Sequence, residues 1–371
     1  MMNRASLFEP FTFANGATLS NKIVMAPMTT WSGDNQGNNT EEELRYYAAR
    51  SAGVGMVITG TTYSIAGGKG FDGQFSAEDD RYIPSLKKLA QTIQSQGAKA
   101  VLQIFHAGRL SRPEWVPDGD VVAPSSVRAV RADEDSRPPR ALSESEIHKI
   151  IQSFAAATSR AIAAGFDGVE IHGANGYLIQ QFFSPHANQR TDSWGGSRPA
   201  RARFALSVLD AVHNVVREQA PKTFILGYRF SPEETGEVGI TLDDTCYLID
   251  QLLERPLTYL HVSLKQFDLT SQRDAADKRV IGDLVRRQIN GRVPLIGVGG
   301  IKTADDLIKA KAIGYDLIAV GSALIADPQW VEKIKSGKPC LPWVTEEHVL
   351  KYHVPQTMFE TLKLYFPNVI G

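Results

Sequence analysis

The chain has 371 residues, with 40 Lys and Arg against 41 Asp and Glu for a net charge of -1. The basic residues are scattered, so no electrostatic footprint for nucleic acid or an acidic partner exists. Cys246 and Cys340 are isolated, which excludes a cysteine-ligated iron–sulfur cluster and a disulfide framework and leaves redox chemistry to an organic cofactor. No apolar run reaches the roughly 18 residues of a membrane span, and Met1 to Phe11 lacks a signal-peptide core, so a cytoplasmic protein without membrane or metal is expected.

The first predicted element is a hairpin, because Asn15-Gly16 separates the short alternating runs Phe11 to Ala14 and Ala17 to Ser20. It is placed to close one end of a barrel. Strand-like runs then recur at Ile23 to Met28, Val54 to Thr59, Ala100 to Phe105, Gly168 to Ile171, Phe224 to Phe230, Tyr259 to Val262, Pro294 to Val298 and Leu317 to Val320. Helix-like segments lie between them, and three carry start signals: Thr40 with Glu43, Ser143 with Glu146, and Thr241 with Asp244. Eight strand–helix alternations predict an α/β fold closed as a (β/α)₈ TIM barrel.

The chain 1–371 reads as one domain, with the barrel over about 21–330 and extra C-terminal helices in an extension over 331–371. That extension, with Trp343, Tyr352, His353 and Tyr365, is amphipathic enough to cover the barrel or a second subunit, which leaves homo-oligomerisation open. A doubly wound nucleotide-binding sheet would carry Gly-x-Gly-x-x-Gly after its first strand, and none is present. Two connections are long, Leu110 to Leu142 and Ser263 to Lys278, as lids or substrate contacts often are.

In a TIM barrel the loops after the strands build the site, and phosphate binds behind the seventh and eighth. Gly299-Gly300 and Gly321-Ser322 stand at those two places, where bare backbone N–H groups approach phosphate oxygens closely. Thr29, Gln103 and Arg229 are polar residues at or near strand ends where a core prefers apolar ones. An interior Arg229 needs an electron-rich partner. At the fourth strand end, His172, Asn175 and Tyr177 offer an imidazole, a carboxamide and a phenol that is protonated at neutral pH. Should the chain turn helically there, His172 and Asn175 share one face and converge on one ligand oxygen. Taken alone, His172 serves equally well as a structural histidine, Asn175 as a helix cap and Tyr177 as packing.

Four blocks together resemble the Old Yellow Enzyme family of FMN-dependent oxidoreductases: Asn21 to Thr29, Gln103 to Arg109, His172 to Tyr177, and Asn188 to Ser197. The resemblance, from about Leu7 to Trp330, implies that NADH or NADPH reduces FMN, which then passes hydride to an activated alkene. By the same resemblance Thr29 would bond the flavin C4 oxygen, Gly60 would lie against the ring and Gln103 would hold the pyrimidine edge. Arg229 would face N1 and the C2 oxygen, and Gly300, Gly321 and Ser322 would bind the phosphate. His172 and Asn175 would hold the small-molecule substrate's oxygen, with Tyr177 as proton donor. The family commonly has Arg where Ser322 stands, a gap that Lys302 could fill, and some bacterial members have Tyr where Trp31 stands. Two rival readings are a flavin-free sugar-phosphate aldolase or isomerase, for which Lys265 is the only tempting lysine, and a flavin-binding redox sensor without turnover.

Overall fold

The computed structural model describes residues 4–129 and 137–371. Met1 to Asn3 of the N-terminal stretch and 130–136 of the long connection Leu110 to Leu142 lie outside the described residues. Eight parallel strands close into a barrel: β1 (Ile23–Met25), β2 (Met56–Tyr63), β3 (Lys99–Phe105), β4 (Gly168–Gly173), β5 (Ile225–Phe230), β6 (Tyr259–Val262), β7 (Leu295–Val298) and β8 (Leu317–Val320). Each pairs with its sequence neighbour, and β8 closes on β1 through Ile318 opposite Ile23. All eight predicted runs are barrel strands. β2 extends past the predicted Thr59 to Tyr63, with a register shift against β3 between Ile58 and Thr61.

A main helix follows each of the first seven strands: α1 (Glu41–Ser51), α2 (Ile83–Gln94), α3 (Glu144–Ala163), α4 (Arg198–Gln219), α5 (Leu242–Leu253), α6 (Ile281–Ile289) and α7 (Ala304–Ile313), with a further short helix at Leu178–Phe183 ahead of α4. Their starts obey the predicted chemistry. Reciprocal capping boxes form at Ser143/Glu146 and Thr241/Asp244, and a further one forms at Thr303/Asp306. At α1 only half the motif forms, since Thr40 accepts from the Glu43 N–H while the Glu43 carboxyl turns inward to Thr30.

The hairpin is present, with Phe11 opposite Leu19 and Thr12 opposite Thr18. Its side chains Phe13 and Leu19 are buried with Val24, Met56, Val101, Ile225, Ile296 and Leu317, the inward-facing residues of six strands. It therefore plugs the N-terminal end of the barrel and leaves the C-terminal end as the mouth.

Beyond β8 come short helices at Ser322–Ala326, Trp330–Ser336, Glu347–Lys351 and Gln356–Tyr365. The extension is held on its own barrel. Val344, Val354, Met358, Phe359 and Leu362 are buried in the main core. The fully buried guanidinium of Arg50 on α1 donates to the carbonyls of Leu324, Ile325, Tyr46 and Tyr352 at 2.9 to 3.2 Å and lies over the Tyr46 ring. One side chain thus joins α1, the turn after β8 and the extension. No helix among the described residues is long and apolar enough to cross a membrane.

Arg50→Met keeps most of the volume but takes the side-chain donor from the buried carbonyls of Leu324 and Ile325 and from the half-buried one of Tyr352, and should cost about 3 kcal/mol or more. Urea denaturation is the check, with earlier proteolytic loss of the C-terminal helices as a second readout.

Candidate functional site

Alternation along the strands points Gln103 of β3, Glu170 of β4 and Tyr259 of β6 into the barrel at one level, with His172, Arg229 and His261 one level nearer the mouth. Glu170 is the hub. Its carboxylate accepts from Gln103 Nε2 at 2.6 Å and from the Tyr259 hydroxyl at 2.9 Å, and lies 2.9 Å from His261 Nδ1. Tyr259 reaches it because the residue opposite is Gly227, where any Cβ would collide with the phenol ring. Burial works against the charge, but the His261 ring, the Arg229 guanidinium and the Gln103 amide outweigh it and hold Glu170 below the usual carboxylate range.

Three buried polar atoms around this hub have no partner within the protein: Gln103 Oε1, Arg229 Nε and His261 Nε2. Such atoms cost free energy unless something satisfies them. Burial lowers the Arg229 pKa, and Glu170 is the main group opposing that shift. His172, level with Arg229, is pushed well below the ordinary histidine range by burial, with Arg229 and His261 adding to the effect. Its Nδ1 faces the Ala174 N–H at 3.2 Å, so the neutral ring carries its proton on Nε2.

β4 continues through Gly173, and the helical turn expected over 172–175 does not form. Asn175 has φ 58° and Gly176 φ 78°, the positive-φ conformation that an Asn-Gly pair favours. The Asn175 N–H donates to Ser231 Oγ at 2.8 Å and its carboxamide to Ser263 Oγ at 3.1 Å, turning the side chain toward the end of β6. Asn175 and His172 therefore occupy one rim without sharing a helical face. Tyr177 does meet His172, with ring centroids 5.2 Å apart, and stands edge-on to Phe105 at 4.5 Å. Phe71 stacks on Phe105, and Trp31 and Trp115 flank Phe71. These aromatics wall one side of the mouth, and Trp115 comes from the long connection after β3.

The other predicted positions lie on the same rim. Thr29 follows β1 half-buried, beside Thr30. Gly60 sits in the β2 irregularity, where a Cβ would press on the Met28 carbonyl, and its N–H donates to the Tyr47 hydroxyl at 2.8 Å. Gly300 follows β7 with φ 66° and lies against Gln266. Gly321 follows β8, and Ser322 opens the next short helix. Beside Ser322 a cavity of about 390 Å³ is bounded by Lys302, Lys338 and Trp343, with Lys302 Nζ 4.9 Å from the Trp343 ring centre. Lys265 is exposed in the loop beyond β6. His106 and Arg109 make local contacts to Gly108 and to the Val127 and Arg128 carbonyls.

Sequence reasoning missed Glu170, Tyr259 and His261, and it read Glu43 only as part of a helix start. The signal for Glu170 was there: a lone acid inside Gly168 to Ile171, a run read as apolar.

The chain matches the NADH:flavin oxidoreductase / NADH oxidase family over residues 6–340. It is 46% identical over 358 residues to the probable NADH-dependent flavin oxidoreductase YqiG of Bacillus subtilis, covering 96% of this chain and 95% of that one. It is 42% identical to the NADH:fumarate oxidoreductase of Klebsiella pneumoniae, where 97% of this chain spans only 39% of the relative. Its fold is similar to that of morphinone reductase, with a TM-score of 0.77, 29% identity and 91% of each chain covered.

The Thr29–Thr30 segment rests on Glu43, whose second oxygen is buried without a partner. Burial pushes this carboxyl up to about 8, helped by Glu42 and opposed by the Thr30 hydroxyl, and Tyr46 and Tyr47 lie close by. The folded protein binds the Glu43 proton more tightly than the unfolded chain does. That contribution is full below about 4.5 and lost as the pH rises through about 8. Glu43→Gln should flatten the fall in denaturation free energy across this window, as denaturant titrations at several pH values would show.

Proposed function

Because the chain belongs to the NADH:flavin oxidoreductase / NADH oxidase family, with FMN as cofactor and NADH or NADPH as reductant, we propose that it reduces activated alkenes: α,β-unsaturated carbonyl or nitro compounds. One observation carries the reading. The mouth holds an acceptor at Gln103 Oε1 and a donor at Arg229 Nε, both buried and unpartnered, beneath a neutral His172 and a Tyr177 ring. This donor and acceptor set fits the N–H and carbonyl edge of a flavin ring. Support also comes from relatives named for fumarate and acrylate, alkenes conjugated to a carboxyl group, of whose lengths this chain spans 39% and 36%.

In this reading Gln103 and Arg229 hold the pyrimidine edge, Thr29 and Gly60 the ring, and Gly300, Gly321 and Ser322 the phosphate. Bound FMN would take a hydride from the nicotinamide and give it to the alkene. The chain's own residues do the rest. His172 donates from Nε2 to the substrate's carbonyl or nitro oxygen. A ring without charge polarises that oxygen and keeps its proton, as a donor in a water-poor site should. Asn175 is the second donor at the same rim, once its carboxamide exchanges Ser263 for substrate. Tyr177, against His172, delivers the proton to the substrate's α-carbon, and the aromatic wall of Phe71 and Phe105 keeps water from competing.

With Tyr177→Phe, alkene reduction should slow by about 10²-fold or more, while reduction of the bound flavin by NADH, followed by loss of yellow absorbance, stays near wild type. Equal alkene turnover in both proteins would remove Tyr177 from the role. Ser322→Arg places a guanidinium beside the cavity and should tighten FMN about tenfold, roughly 1.4 kcal/mol, as fluorescence quenching on titration of the apoprotein would measure.

A further inference from the structure

From the hydrogen-bond network beneath the mouth, and resting on the reading of this mouth as a flavin site, we infer that Glu170 is a positioning residue that sets how strongly the site favours reduced over oxidised FMN. It does so through Gln103 and Arg229, without touching the flavin itself.

The first effect runs through the Gln103 amide. An amide has a donor end and an acceptor end, and only one arrangement suits a neighbouring carboxylate. Gln103 spends Nε2 on Glu170 at 2.6 Å, so the acceptor Oε1 must point elsewhere, and it is the oxygen left buried without a partner. Glu170 thereby fixes the orientation of the group that would meet the flavin N3–H. A second effect is charge. Arg229 is buried, no carboxylate lies in ion-pair contact with it among the described residues, and Glu170 is the chief group offsetting its burial. Reduced FMN is richer in negative charge at the edge that Arg229 would face, so the free guanidinium field favours it. The carboxylate behind cancels part of that field.

Stability alone does not account for the network. Burying a carboxylate costs more than an apolar residue of similar size would. Two strands, β3 and β6, nonetheless supply Gln103, Tyr259 and His261 to keep it, and Gly227 is left bare so that the Tyr259 ring can cross to it.

Glu170→Gln keeps the shape and removes the charge. The preference for reduced over oxidised FMN should rise about tenfold, an upward potential shift of about 30 mV for a two-electron couple. Spectroelectrochemistry of FMN-loaded wild type and variant reads it. Glu170→Asp keeps the charge but withdraws it from Gln103. It should shift the flavin absorption maxima and weaken FMN binding severalfold, with a smaller change in potential, so the question stays answerable even if the Gln variant does not fold. Tyr259→Phe, which removes one hydrogen bond and leaves the charge in place, should lower thermal stability and leave the potential near wild type. An unchanged potential in the Gln variant, or an unchanged spectrum and affinity in the Asp variant, overturns the inference. Failure of the wild-type protein to bind FMN at all overturns instead the flavin reading beneath it.

Discussion

An ionised carboxylate in the middle of a closed barrel exists only under constraint. Glu170 is fully buried, so its charge depends on an amide, a phenol, an imidazole and a nearby guanidinium. Those groups come from β3, β5 and β6 and surround Glu170 on β4, and they can converge only if the four strands hold one register. The polar centre and the apolar barrel are therefore mutually dependent. The lower level, filled by Val24, Met56, Val101, Ile225, Ile296 and Leu317, fixes the register. The next levels use that register to aim unsatisfied donors and acceptors at the mouth.

Much of the barrel was legible in the sequence because its signals are local. Each strand announced itself as a short apolar run, and the capping boxes at Ser143 and Thr241 gave helix starts that the structure repeats. Glu43 shows where local signals stop. Its spacing from Thr40 satisfies a capping motif, yet the carboxyl bonds Thr30, because only the assembled barrel brings α1 against the end of β1. Asn175 shows the reverse, a local signal passed over. The Asn175-Gly176 pair favours a positive-φ turn, and that preference, not the helical periodicity of 172 and 175, decides the backbone.

The rim itself was legible as a set of strand ends, because a parallel barrel must deliver them all to one place. What stayed hidden was the connection between them. Tyr259 and His261 sit in a four-residue strand that looks apolar, and their meaning depends on Glu170 two strands away and 89 and 91 residues distant in sequence. No window along the chain contains that relation. The same holds for Arg50, whose four carbonyl partners include three more than 270 residues away.

The hairpin that stoppers the base of the barrel has a consequence for traffic. With Phe13 and Leu19 wedged among the inward-facing side chains, the interior is a blind well, and whatever visits its upper levels must enter and leave by the same door. Two visitors that each need the floor of that well cannot queue from opposite sides; the second waits until the first has gone.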